Sequence, residues 1–158
     1  MNVGFEGEVP LTDLPKAEIV SQGLQKVWHG RFNADFYCDS AIAGRVVIPK
    51  GFISDAASIP RIFWNILSDT DPDIEYPSFV HDLLYSVHGK LPDRTLTRKQ
   101  CDQVIREQMI AVGASPLKYQ PVYWALRLFG WHGWNSHTPE YKLVNTPYRS
   151  RLSTVVKP

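Results

Sequence analysis

Cysteine occurs only twice, at Cys38 and Cys101, and no CxxC pair exists, so a zinc ribbon is excluded. A single disulfide between the two is open on paper, but nothing in the sequence calls for it, and a reducing compartment is the expectation. Long apolar runs are missing as well. No stretch approaches the roughly eighteen residues that cross a bilayer. Met1 to Pro10 carries acidic residues and no apolar run, so neither a signal peptide nor export is expected, and synthesis in the cytoplasm is. Excess charge of one sign is lacking too: the formal net charge is +1. No global field therefore steers the chain toward nucleic acid or a membrane surface. The densest basic patch, Arg94, Arg98 and Lys99, reads as a solvated helix start. Internal repeats, low-complexity blocks and the HExxH zinc signature are absent.

What is present suits one folded domain spanning residues 1–158. The 158 residues are 44% hydrophobic and 21% charged, enough to bury a core without disulfides or a structural metal. Aromatics reach 12%, and many of them fall between Tyr119 and Trp134. Two textures divide the chain, mainly β over 1–58 and mainly α over 59–130, followed by an irregular tail over 131–158. Gln25–Trp28, Phe32–Cys38 and Arg45–Ile53 read as strands. Asp39–Gly44 reads as a hairpin connection. Pro49 and Gly51 place the third run at an edge or on a bulge.

Beyond Pro60 the spacing turns helical. Arg61–Leu67 predicts a short helix with Ser58 as N-cap. Residues 69–73 read as a loop. Pro77–His88 predicts a helix on the spacing of Phe79, Val80, Leu83, Leu84 and Val87, with Gly89 as its cap. Thr97-Arg-Lys-Gln100 is a capping box opening a third helix, with an apolar stripe from Cys101 to Val112 and a stop at Gly113. Lys118–Phe129 predicts a fourth, with Pro121 in its first turn because deeper placement costs a hydrogen bond. The expected fold is α+β: a small N-terminal antiparallel sheet followed by three or four packed helices.

Four groups of residues carry chemistry. Ser54, Asp55 and Ser58 bring three oxygen-bearing side chains to one turn, able to ligate a divalent cation or orient a substrate. The plainer reading is an Asx-turn and a helix cap. His81 and Tyr85 share a helix face with His88, and Asp82 borders it. A neutral imidazole can take a proton from water when its other nitrogen is held. The plainer reading is a core-edge histidine, with Asp82 in a surface pair and His88 as a helix-end cation. Asp102 stands on the next helix. It either pairs with Arg106 at i, i+4 or, if the two helices run antiparallel, meets His81 and orients it. Trp131 and Trp134 lie beyond the fourth helix, free to line a groove for a sugar or lipid. Tyr123, Leu126, Leu128 and Phe129 read as core.

In this order Gly51-Phe-Ile-Ser-Asp-Ala-Ala-Ser-Ile-Pro-Arg61, His81-Asp-Leu-Leu-Tyr85, Thr97-Arg-Lys-Gln-Cys-Asp102 and Tyr123–Gly130 resemble the phage and prophage proteins grouped as domain-of-unknown-function family 1353. Ser54 stands where Thr is usual and Cys101 where Ala is common. The resemblance spans about Phe36 to Gly130 and implies a gene among phage tail or lysis genes, with synthesis in the host cytoplasm. His81-Asp82-x-x-Tyr85 followed by Asp102 is also similar to the phospholipase A2 arrangement, notably its compact form in parvovirus capsid proteins. That similarity implies His81 as the base that activates water, Asp82 as a calcium ligand and Asp102 as the residue orienting His81. The glycine-rich calcium loop and the secreted enzymes' disulfides are missing, and Asp55 is the candidate replacement ligand.

Three functions compete at this stage. One is a metal-assisted hydrolase of the host envelope, acting on lipid or peptidoglycan through His81, Asp102 and Tyr85 with a cation at Asp82 and Asp55. Another is a non-catalytic virion or assembly protein that meets other virion proteins. The third is a factor that blocks host defence by binding. No nucleic-acid partner is expected.

Overall fold

The computed structural model describes residues 2–13, 30–54 and 72–136. Among the described residues six short strands come first: β1 (Gly4–Phe5), β2 (Leu11–Asp13), β3 (Gly30–Phe32), β4 (Phe36–Ser40), β5 (Gly44–Ile48) and β6 (Ile53–Ser54). Four helices of the described residues follow: α1 (Pro72–Ser86), α2 (Arg98–Ala111), α3 (Pro116–Phe129) and α4 (Trp131–Ser136). The strands form two three-stranded antiparallel sheets, ordered β1-β4-β5 and β2-β3-β6. The fold is α+β, as expected.

Alternation builds the first sheet. Phe36, Cys38 and Ser40 of β4 are buried, while Tyr37 and Asp39 are only half so. Phe36 pairs with Ile48 and Cys38 with Val46, so the buried face of the β4–β5 hairpin is apolar as far as Ser40 at its turn end. The hairpin turns at residues 41–43, within the expected connection, and Gly44 takes the left-handed φ of 72°. Ser40 Oγ accepts from the Ile42 and Ala43 amides and donates to Glu107 of α2. Gln108 of α2 donates to the Asp39 carbonyl at 3.0 Å. The turn is thereby fastened to the helix layer.

Phe79, Val80, Leu83 and Leu84 of α1 close over the hairpin's apolar face together with Phe32, and Cys101 and Val104 of α2 extend this core. Ile105, Met109, Val122 and Leu126 form a second core between α2 and α3. Cys38 and Cys101 are both buried free thiols, and burial pushes each up to about 12.

Several boundaries differ from expectation. The run Phe32–Cys38 is broken by a bend at 33–34, and Arg45–Ile53 by a turn at Pro49–Gly51, so each yields two strands. Helix α1 begins at Pro72, five residues before Pro77, with Asp73 and Glu75 in its first turn. Their charge suits a helix N-terminus, and Asp73 is further held by Lys118 of α3 at 2.9 Å. Pro116 opens α3, which leaves Pro121 in the interior and removes one ladder hydrogen bond. Residues 131–136 are helical rather than irregular. Gly130 adopts αR geometry (φ −65°, ψ −15°), and the Trp134 amide bonds back to its carbonyl, so the glycine carries the helical path onward. The expected strand Gln25–Trp28, the helix Arg61–Leu67, its cap Ser58, Asp55 and the tail past Ser136 lie outside the described residues.

Two local predictions match in detail. Thr97 forms both halves of its capping box with Gln100. Gly89 ends α1 with φ 70°, its amide bonded to the Leu84 carbonyl. A Cβ there would stand 2.1 Å from the Leu96 carbonyl oxygen, so the close approach of the α1–α2 link requires glycine.

Candidate functional site: a buried carboxylate shared by three helices

The i, i+4 spacing of His81 and Tyr85 sets both on the face of α1 that meets α2, with ring centroids 4.1 Å apart. Asp102 lies in the second turn of α2, with its orientation set by the Thr97 cap one turn earlier. The three side chains converge. His81 Nε2 lies 3.0 Å from Asp102 Oδ1, and the Tyr85 hydroxyl donates to the same oxygen at 2.6 Å. His81 and Asp102 are completely buried and Tyr85 nearly so.

Two arginines complete the arrangement. Arg127 of α3 donates to Asp102 Oδ2 at 2.5 Å, and Arg98 reaches the same oxygen at 3.5 Å. Arg98 also donates to the Leu126 and Arg127 carbonyls at 2.9 and 3.3 Å, the former shared with the Gly130 amide, and so ties the start of α2 to the end of α3. One carboxylate thus receives donors from α1, α2 and α3. Burial opposes its ionisation. The hydrogen bond and charge of His81, with the bonds from Tyr85 and Arg127, outweigh burial and hold Asp102 below the usual carboxylate range. Burial, with the neighbouring Asp102 charge and the hydrogen bond to it, pushes Tyr85 far above its ordinary value, so the phenol remains a donor.

An ionised carboxylate only accepts, so Nε2 of His81 carries a proton in either charge state of the ring. The other ring nitrogen, Nδ1, is a buried atom with no hydrogen-bond partner among the described residues, and it bears the lone pair whenever the ring is uncharged.

Asp82 follows a different direction. Its Oδ2 accepts from Ser54 Oγ at 2.9 Å, and both residues are buried, which ties α1 to β6. No three His, Cys, Asp or Glu side chains among the described residues are grouped to hold a metal ion. Asp82 alone, already bonded to Ser54, does not make a hard-cation site. The other proposed ligand, Asp55, and Ser58 lie outside the described residues.

Trp134 packs edge-on against Tyr85 at 5.2 Å and against His88 at 5.1 Å. Its carbonyl accepts from His88 Nε2 at 2.8 Å. This indole therefore backs the tyrosine, whereas Trp131 is 48% exposed. Both lie on α4 and not in a loop. Gly130 and Gly133 let α4 approach: a Cβ on Gly130 would fall 2.7 Å from the Tyr85 hydroxyl.

The expected Asp102–Arg106 pair is replaced. Asp102 turns inward to Arg98 and Arg127, and the Arg106 guanidinium lies over the rings of Tyr119 and Tyr123, at 5.7 and 5.2 Å. The sequence reading missed Arg98 and Arg127 as members of the network. Arg98 sits at i−4 from Asp102, a signal it took for a solvated helix start. Arg127 is the single cation in the apolar, aromatic stretch 121–129, which is the available clue. An open groove of about 530 Å³ lies elsewhere, lined by Ile42, Gln103 and Ile110 among others, and includes none of the network.

The structure defines an α+β protein with a buried imidazole–carboxylate–tyrosine network on a helix pair. The chain belongs to the family described as Protein of unknown function (DUF1353), whose model matches residues 31–126. Neither the curated proteins nor the solved structures compared with the chain gave a match. The matched segment contains Ser54, His81, Asp82, Tyr85, Arg98 and Asp102 and stops one residue short of Arg127.

Proposed function

We propose that this protein is a phage-encoded hydrolase of the host envelope, with His81 as its general base and an ester or amide of lipid or peptidoglycan as substrate. One observation carries the reading: Nε2 of His81 is fastened to Asp102 while Nδ1 has no partner among the described residues. In the step this implies, Nδ1 takes a proton from water as the oxygen attacks the substrate carbonyl. The resulting imidazolium is stabilised by Asp102, and it returns the proton to the leaving group. Tyr85, Arg98 and Arg127 hold the carboxylate and do not touch substrate. No step is routed through a cation.

A second reading rests on the complete burial of His81. On it the network is structural and the protein is a non-catalytic component of a virion or its assembly. A hydrolysis screen of phospholipid and peptidoglycan, with divalent cations supplied, separates the two. The hydrolase reading expects turnover by the wild type and its loss in His81→Ala at unchanged folding. Equal turnover by both proteins, or none by either, transfers the site to the structural reading.

A further inference from the structure

Helix α2 carries a second set of polar side chains besides Asp102. Gln103, Arg106, Glu107 and Ile110 recur at i, i+3, i+4 and i+7, which places them on one side of the helix. All four line the open groove of about 530 Å³, together with Val3 of the N-terminal segment and Ile42 of the hairpin turn. Its volume falls within the range of small-molecule sites. Apart from Gln103, Arg106 and Glu107 its lining side chains are apolar, and one of them, Ile110, is 49% exposed.

The two charges in the groove are not equivalent. Glu107 is committed to the hairpin turn: Oε1 accepts from the Ala41 amide at 2.9 Å and Oε2 from the Ser40 hydroxyl. Arg106 has no such commitment. Its guanidinium lies over the rings of Tyr119 and Tyr123, and no ion pair or hydrogen bond joins it to a described residue. Its Nε is buried without a partner. Arg98, Arg127 and Lys118, by contrast, each meet a carboxylate. Stacking on the tyrosines occupies the flat faces of the guanidinium and leaves the N–H donors at its edge. Unmet donors in a partly buried site are costly, and an acceptor is what this one lacks. The Gln103 amide, three residues earlier on the same side, adds further donors.

We infer that this groove binds a carboxylate with a linear apolar chain, the class of a medium-chain fatty acid. A planar carboxylate matches the edge of a guanidinium with two parallel hydrogen bonds. The chain covers Val3, Ile42 and Ile110, whose side chains offer contact area and no polar partner, which suits hydrocarbon and not a peptide. An uncharged head would leave Arg106 unmet, and a cationic one would be repelled by it. The site is separate from the His81 network and does not depend on that histidine being catalytic.

The test titrates the isotope-labelled full chain with octanoate, octanol and octylamine, following backbone amide shifts by two-dimensional NMR. Octanoate is expected to shift the amides of Gln103, Arg106 and Ile110 saturably. Octanol should bind roughly tenfold or more weakly, having lost a charge-assisted hydrogen bond, and octylamine more weakly still. Arg106→Met should lose octanoate affinity by a similar factor and no longer tell octanoate from octanol. Ile110→Gln, at an exposed position, should keep the wild-type melting temperature and weaken octanoate and octanol alike, which preserves the test if the Met variant fails to fold. The inference is overturned by the absence of saturable shifts in the groove, or by octanol or octylamine binding as tightly as octanoate. Unchanged octanoate affinity in either folded variant overturns it too. Shifts of the same amides with protein concentration alone give the groove to a second copy of the chain and also overturn it. Turnover is not read, so failure here and failure of the hydrolase reading are distinguishable.

Discussion

Replacing Asp102 with Asn examines the central claim, that one carboxylate is the shared acceptor for three helices. The substitution keeps the volume and one carbonyl oxygen. That oxygen can still accept from His81 and Tyr85, which now meet at Oδ1. The new amide must then face Arg127 and Arg98, which both donate to Oδ2. Donor would meet donor in a buried site, beside guanidinium charge with no counter-ion in the network. Breaking a buried ion pair from one side costs about 3–5 kcal/mol. For a chain of 158 residues that corresponds to a fall in Tm of roughly 6–20 °C. The assay is thermal and urea unfolding of Asp102→Asn, of Arg127→Met and of the double variant. If the two residues interact as described, Arg127→Met costs clearly less in the Asn background, with a coupling of about 0.5–3 kcal/mol. An Asn variant within about 1 kcal/mol of wild type, or strictly additive effects, would refute the shared-acceptor description.

Two further expectations concern acid and packing. Because Asp102 is held below its ordinary value in the folded protein, its contribution to stability is full above the unfolded-state value near 3.8 and is lost as pH falls through the folded value. The stability gap between wild type and Asp102→Asn should therefore stay flat above about pH 5 and shrink below about pH 4, as followed by urea unfolding; a gap that widens in acid contradicts this. Gly130→Ala should cost about 1–3 kcal/mol by overpacking, since its methyl would meet the Leu126 carbonyl oxygen at 2.4 Å and the Tyr85 hydroxyl at 2.7 Å, whereas Gly133→Ala, with 3.7 Å to the Tyr85 ring, should cost much less. Equal melting temperatures for the two alanine variants would show that α4 is not seated on Tyr85.

What the sequence revealed and what it hid divide by range. The Thr97 cap and the Gly89 stop are local devices whose partners lie within a few residues, and both were legible. His81 and Tyr85 were legible as one face because helix geometry alone places them together. Asp102 was legible as a candidate, but its partners were not, because two arginines are in reach along α2 at i−4 and i+4. Packing decides between them: Arg106 finds the aromatic rings of α3, and Arg98 finds the carbonyls at that helix's end. Arg127 was hidden inside an aromatic run that reads as core. The fourth helix was expected to end at Phe129, but Gly130 has ordinary helical geometry and serves to admit the tyrosine. Pro77 and Pro121 were misplaced for one reason: each helix begins at another proline five residues ahead of them, Pro72 and Pro116.

Every donor to the Asp102 carboxylate also constrains how far each helix may turn about its own axis. Side chains advance by about 100° per residue along a helix, so an insertion of one residue ahead of Asp102 in α2 would swing the carboxylate out of the seam. The Gly89–Leu96 hydrogen bond clamps the link before α2, which leaves little slack to take up such a change. Length variation inside the helical segments between His81 and Arg127 is therefore tolerable only in steps that restore the angular phase of the helix that carries it.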